Sequence, residues 1–401
     1  MTIRLFNAVI IGLLIFAGCT KDGDKSDGGN DGGTTKQAYV PDLSGSYTSP
    51  NEILGAKVIR IQKDGKILVL GYQWFVRLEK DAVTIDNTFK PVNEIASSSQ
   101  VNSFELQDDG KIIVFGKFVM SGGRKAIVRL NTDGSLDGSF NNPQLDINYR
   151  AQSIEIKAVK LLANGRMVIA GAFSYRIGPT SFGNGIARLN ADQSLDHSFT
   201  SPVHAGDVYN VNRMLPLSDG GFLLTGYGAI KLNDGLNYTV IKINADGAHD
   251  KSYVFDSGGL LNVHQVVSGD MKELADGKVL ISWTSADIQD PFSHIARISS
   301  NGSVDAGFNV FEVGGYIRAL LVLPDKSIFA GNDPNGNFPY EKKYFSYLDA
   351  GGKEDTTFHP NFSSGSSVYC LANVDETTIL VGGSIYLNDK KYSVMRFKKN
   401  K

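Results

Sequence analysis

The stretch NTDGSLDGSF (131–140) sets oxygen-bearing side chains at Asn131, Asp133, Ser135 and Asp137. Carboxylate, amide and hydroxyl oxygens on alternate residues are the ligand set of a calcium loop. They are also the residues of a tight turn, because Asn, Asp and Ser bond their own backbone and Gly accepts positive φ. The related stretches NADQSLDHSF (190–199), NADGAHDKSY (244–253), SSNGSVDAGF (299–308), DAGGKEDTTF (349–358) and EKDAVTIDNTF (79–89) separate these readings. Ser299, Asn301, Gly351 and Lys353 dilute the ligand positions, and the last copy lacks the turn glycine. Ion ligands would not tolerate such dilution, whereas a turn does. The Asp late in each copy is expected to bond local backbone amides, and the aromatic after it to plug between neighbouring repeats.

Other chemistry is sparse. The six histidines, His197, His204, His249, His294, His264 and His359, show no metal-binding spacing such as H-E-x-x-H. His197 stands where the other copies have Gly, Lys, Ala or Thr, as a variable exposed position would. There is no G-x-S-x-G elbow and no phosphate-binding P-loop. Carboxylates are plentiful, but a glycosidase pair cannot be picked out by spacing. Cys370, in the apolar run SSVYCLANV, has no basic neighbour and reads as a buried inert thiol. From Asp22, an EF-hand would need Gly at the sixth place and Glu at the twelfth, where Asp27 and Gly33 stand. No catalytic residue, metal ligand or cofactor is assigned.

The bulk numbers agree. With 42% hydrophobic and 20% charged residues, the chain of 401 residues can bury a sizeable core. A net charge of −2 gives no footprint for nucleic acid. The N-terminus reads as an address. Arg4 precedes LFNAVIIGLLIFAG, which is short for a membrane span, and Cys19 follows a small-residue pair. FAGC (16–19) resembles a bacterial lipobox, which implies a signal peptide over 1–18 and a lipidated Cys19 as the mature N-terminus. A flexible Gly/Asp/Lys tether follows over 19–37. Its Lys21, Asp22 and Asp24 resemble the export signal of Bacteroidota surface lipoproteins. The expectation is an outer-membrane lipoprotein held by lipid on Cys19, exposed at the cell surface and monomeric.

The elements that position everything else come from repetition. An Asp-Gly-like turn followed by an apolar run and glycine occurs seven times: KDGKILVLG, DDGKIIVFG, ANGRMVIAG, SDGGFLLTG, ADGKVLISW, PDKSIFAGN and DETTILVGG. The turns recur every 45 to 57 residues, roughly the period of a propeller blade. Each is preceded by an alternating segment (KVIRIQ, VNSFELQ, IKAVKLL, VNRMLPL, IRALLVL) and followed by a third (AIVRLN, GIARLN, TVIKIN, HIARIS, SVMRFK). Paired short runs joined by Asp-Gly signal hairpins. Four short segments per repeat predict an all-β chain: one β-propeller over 38–401, of seven four-stranded blades. Six Asp-x-x-aromatic endings serve seven turns. The missing one is sought at DLSGSYTSP (42–50), aligned with SLDHSFTSP so that Tyr47 matches Phe199 and Ser44 stands in the Asp place. An N-terminal strand would thus complete the last blade and close the ring.

The pattern DGKIhVhG…hhRLNxDGSLDxSF, where h is apolar, resembles the Delta-60 repeat family of bacterial extracellular β-propeller-like repeats, over nearly all of 42–397. The resemblance implies fold and an extracellular setting and brings no catalytic residues. Repeats six and seven depart from it, with Lys326 and Glu376 replacing the turn glycine.

Length variation collects at one end of such a propeller, in the second-to-third and blade-to-blade connections. These loops contribute Tyr149, Tyr175, Arg176, Phe182, Tyr238, Phe292, Phe338 and Tyr340 as candidate ligand-binding residues. Aromatic faces with Asn, Asp and Arg nearby suit a glycan or protein ligand. The expected function is a binding or interaction module. The alternatives are a propeller enzyme acting on polysaccharide and a purely structural display scaffold.

Overall fold

The computed structural model describes residues 39–49, 55–121, 123–141, 143, 145, 154–177, 182–204, 211–256, 267–284, 292–334 and 343–400. Residues Lys36–Lys401 form one compact unit. The fold is an all-β propeller of seven blades. β1 (Tyr39–Tyr47) comes first in the chain but joins the last blade. Blade one holds β2 (Ala56–Ile61), β3 (Ile67–Gly71) and β4 (Phe75–Leu78), and a helical turn, α1 (Asn93–Ala96), leads onward. Blade two holds β5 (Val101–Leu106), β6 (Ile112–Met120) and β7 (Gly123–Leu130). Blade three holds β8 (Glu155–Leu161), β9 (Met167–Arg176) and β10 (Phe182–Leu189), and blade four β11 (Val211–Pro216), β12 (Phe222–Lys231) and β13 (Asn237–Ile243). Blade five is β14 (Val267–Glu273), β15 (Val279–Thr284) and β16 (Phe292–Ile298), widened by β17 (Phe311–Gly314). Blade six is β18 (Tyr316–Val322), β19 (Ile328–Asp333) and β20 (Phe345–Leu348), and blade seven β21 (Ser367–Asn373), β22 (Thr378–Leu387) and β23 (Lys390–Lys399).

Pairing within each blade is antiparallel, and the quoted apolar run of each repeat is its middle strand. These runs are apolar on both faces because each middle strand serves two cores. In β3, Ile67 and Val69 face blade seven, while Leu68 and Leu70 face blade two. In β6, Ile112 and Val114 face blade one, and Ile113 and Phe115 face blade three. Seven hydrophobic clusters result, each drawn from two adjacent blades. Each fully buried Leu, Val or Phe contributes about 1.5–3 kcal/mol, so the cores between blades hold the ring together.

The fourth segment differs from the expected full strand. In blades one to six it makes a single bridge, such as Leu130 to Leu136 or Leu189 to Leu195, before the Asp turn carries the chain away. Only three residues separate that bridge from the aromatic that must plug the next interface, too few for a ladder. In blade seven the fourth strand is complete: β1 pairs with β23 from Tyr39–Lys399 to Asp42–Arg396 and again at Tyr47–Val394. Tyr39 and Tyr47 are both buried, on opposite sides of that blade.

Candidate functional site

The carboxylates that suggested a calcium loop are already engaged. Asp137 Oδ1 accepts from the Ser139 amide at 2.9 Å and hydroxyl at 2.7 Å. Its Oδ2 accepts from Arg129 Nε at 2.7 Å and Lys111 Nζ at 2.8 Å. The Arg129 guanidinium lies over the Phe140 ring, 5.2 Å from its centroid. The arrangement recurs as Arg77–Asp86, Arg188–Asp196 and Arg297–Asp305, at 2.6, 2.7 and 2.6 Å. It also crosses between blades: Arg77 donates to the Thr132 carbonyl at 2.6 Å, Arg188 to that of Ala245 at 2.7 Å and Arg297 to that of Ala350 at 2.9 Å. The Ser198 hydroxyl and Arg188 hold Asp196 down to about 2. Lys111, Ser139 and Arg129 hold Asp137 well below the usual carboxylate range, and Lys66, Thr88 and Arg77 do the same for Asp86. Asp133, earlier in the motif, caps its own turn through the Ser135 amide at 2.9 Å. Among the described residues no group of three His, Cys, Asp or Glu is placed to hold a metal ion.

The closing copy corrects the sequence alignment. Asp42, not the Ser44 position, plays the aspartate: it pairs with Arg396 Nη2 at 2.7 Å and Lys398 at 2.8 Å, and accepts from the Ser44 hydroxyl at 2.6 Å. The chain then bulges before Tyr47. A Cβ on Gly45 would lie 2.0 Å from the Arg396 guanidinium carbon, so a larger residue there would displace that side chain.

Those predicted loop residues that are described do not converge on one another. Tyr175 is only 3% exposed and its ring covers Gly183, so it is core and leaves the candidate binding face. Burial pushes its hydroxyl up to about 12. Arg176 and Phe182 pair across the β9–β10 hairpin, the guanidinium 5.1 Å from the ring centroid. Tyr238 donates to Asp234 at 3.0 Å and meets His249 edge-on at 5.1 Å in a crevice of about 660 Å³ beside blade four. Phe292 is half-buried opposite Gly314. Tyr149, Phe338, Tyr340 and Cys19 lie outside the described residues.

A polar cavity, the axial channel of about 490 Å³, is lined by the first strand of all seven blades. Each of these strands bulges at one place. Lys57 is unopposed between the pairs Ala56–Gly71 and Val58–Leu70, and Asn102, Lys157, Asn212, Arg318 and Tyr369 occupy the same position in five other blades. In blade five, Gly269 and Asp270 together face Ser282. An extra residue turns a strand locally and re-aims its side chains, and here the side chains line the axis. The glycine that ends the repeated apolar run answers this bulge: a Cβ on Gly116 or Gly171 would sit 2.3 or 2.2 Å from the carbonyl oxygen of Gln100 or Glu155. Since the bulge sits at the start of the first strand, away from the Asp-Gly turn, its ring of side chains lies at the end of the variable loops.

Six cations, Lys57, Arg60, Lys157, Arg213, Lys272 and Arg318, line the channel against two carboxylates, Glu155 and Asp270. Glu105 and Asp333 pair with Arg60 and Arg318, each at 3.0 Å, and still leave cations in excess. Lys57 donates to the Val101 carbonyl at 2.5 Å and lies over the Tyr72 ring at 4.9 Å; burial lowers it to about 8. Asn102 donates to Glu155 at 2.9 Å. Burial would raise Asp270, but Lys272 at 2.8 Å, the Leu320 amide at 2.9 Å and Arg213 bring it below the usual range. Arg213 is open to channel water yet surrounded by protein, and its pKa is lowered, first by desolvation; Asp270 opposes the shift and Arg318 adds to it. Tyr72 and Tyr369 meet edge-on at the mouth, 6.0 Å apart. Sequence reasoning passed over these residues because it looked to the loops. Their signal was the Lys, Asn or Arg near the start of KVIRIQ, VNSFELQ, IKAVKLL, VNRMLPL and IRALLVL.

Three stretches, 107–140, 162–199 and 274–308, match a family model described as a domain of unknown function (DUF5122) beta-propeller. They are blade segments two, three and five, and they support assignment to a β-propeller repeat family. Among curated proteins no significant match is found. Of solved structures, a catalytically inactive virginiamycin B lyase from Staphylococcus aureus with quinupristin is similar at 11% identity and TM-score 0.54, covering 90% of this chain and all of that one. YCF48 from Cyanidioschyzon merolae has 10% identity and TM-score 0.48, covering 90% and 99%. A protein of unknown function from Dyadobacter fermentans has 13% identity and TM-score 0.41, covering 90% and 98%. At these identities the likeness shows the fold alone.

Proposed function

We propose that this protein is an envelope lipoprotein, tethered through Cys19 at the bacterial outer membrane, whose propeller is a binding module. It takes a small soluble ligand, or the end of a glycan chain, at the loop-side mouth of the axial channel. The observation that carries the reading is the bulge repeated in all seven first strands, which crowds polar side chains into one cavity. Its volume falls in the range of small-ligand sites, roughly 300–1,000 Å³, and Tyr72 and Tyr369 offer ring faces beside hydrogen-bonding Asn102 and Asn212. Calorimetry with an oligosaccharide panel tests the site: saturable binding lost in Tyr369→Ala is expected, and binding indifferent to every channel substitution would defeat it. The address is tested separately. An alkyne fatty acid should label the wild-type chain in cells and not Cys19→Ser; equal labelling of both would overturn the lipid anchor.

A further inference from the structure

The chain as a whole is slightly acidic, with a net charge of −2, yet its axial channel is lined by six cations and two carboxylates. We infer that the channel binds an oxyanion: the carboxylate, sulfate or phosphate of a small solute or sugar. The inference rests on the channel being the binding site.

Three observations carry it. First, the six cations come from five blades, and they converge only because the ring brings the first strands together. Second, the carboxylates match only four of the six: Arg60, Arg318 and Lys272 pair with Glu105, Asp333 and Asp270, and Lys157 lies 4.0 Å from Glu155, which leaves Lys57 and Arg213 in excess. Asp270 is satisfied by Lys272 and two backbone amides, those of Met271 and Leu320, and Glu155 accepts from Asn102. Third, Arg213 lines the cavity without a hydrogen bond or ion pair among the described residues, attracted at longer range by Asp270 and repelled by Arg318. Holding like charges together in a confined cavity is unfavourable unless an anion joins them, and guanidinium groups suit planar or tetrahedral oxyanions through paired N–H donors. A neutral ligand could accept hydrogen bonds here but would leave the excess charge uncompensated.

The test is isothermal titration of the full-length chain in detergent at low ionic strength, with inorganic phosphate, sulfate, D-galacturonate and, as the uncharged counterpart, D-galactose. At least one oxyanion should bind saturably at one per chain, weaken as salt is added, and outcompete galactose. Arg213→Gln should weaken it about 10- to 100-fold, the range for a lost hydrogen bond to a charged group, while Arg213→Lys retains part of the affinity. Because Arg213 makes no hydrogen bond or ion pair among the described residues and only a longer-range attraction to Asp270, the Gln variant should unfold within a few degrees of the parent. Lys57→Gln provides a second, independent reduction. If none of the three oxyanions binds, or if Arg213→Gln and Lys57→Gln both leave affinity unchanged, the inference is overturned. Galactose binding as tightly as galacturonate in a manner abolished by Tyr369→Ala would also overturn it, yet leave the binding-module reading standing. Absence of any ligand, charged or neutral, would defeat both.

Discussion

Substituting Asp196→Asn isolates the ionic part of the repeated joint between blades. The amide can still accept from the Ser198 backbone and hydroxyl, which Asp196 Oδ1 bonds at 3.0 and 2.6 Å, but the charge facing Arg188 at 2.7 Å is lost. The aspartate stands at about 2 in the folded chain, against ~3.9 for an unperturbed residue, and that difference corresponds to at most about 2.6 kcal/mol. The pair lies at the protein surface, although its side chains are only 12% exposed, so solvent screening reduces the expected loss to ~1–1.5 kcal/mol. The sign follows from the depressed pKa. The carboxylate stabilises the fold fully above its unfolded value, and that stability is lost as pH falls toward the folded value. Urea unfolding at pH 7 should therefore show the full cost, and at pH 3 roughly half of it. A double-mutant cycle with Arg188→Gln should return a coupling near 1 kcal/mol. A cost identical at both pH values, or no coupling to Arg188, would refute the joint. So would calcium stabilising the wild type and not the variant, because Asp196 would then be an ion ligand.

Other outcomes follow from the same structure. Tyr39→Ala, at the buried start of the closing strand, should cost ~3–5 kcal/mol by chemical denaturation, as for other buried aromatics; a loss under 1 kcal/mol would mean β1 does not close the ring. Gly247 and Gly277 both have positive φ, but a Cβ on Gly247 would lie 2.3 Å from the Thr200 carbonyl oxygen whereas Gly277 has open space. Gly277→Ala should thus cost about 1–2 kcal/mol from the left-handed backbone alone, and Gly247→Ala distinctly more; equal losses would contradict the tight packing of the turn against blade three. Cys370 is buried and its thiol is pushed up to about 12, so at pH 8 it should resist a thiol reagent in the native chain and react fully in denaturant.

The fold was legible because it is local and repeated. Asp-Gly turns, period-2 strands and Asp-x-x-aromatic endings each act within a few residues, so their sequence spacing states the blade directly. The aspartates were correctly read as turn formers, since Asp133 and Asp137 bond amides two residues away. Even ring closure by an N-terminal strand was visible, though the bulge after Asp42 hid which residue replaced the missing aspartate. What sequence could not supply was the partner of each arginine in hhRLN: the carbonyls they reach, such as Thr132 from Arg77 and Ala245 from Arg188, are more than fifty residues away. The channel depended on tertiary structure in the same way. Lys57, Lys157, Arg213 and Arg318 lie far apart in the chain, and each alone looks like a solvated strand residue. One unopposed residue per first strand, repeated around a closed ring, brings them to one axis. The repeat determines the blade; the distances around the axis exist only once seven blades have closed.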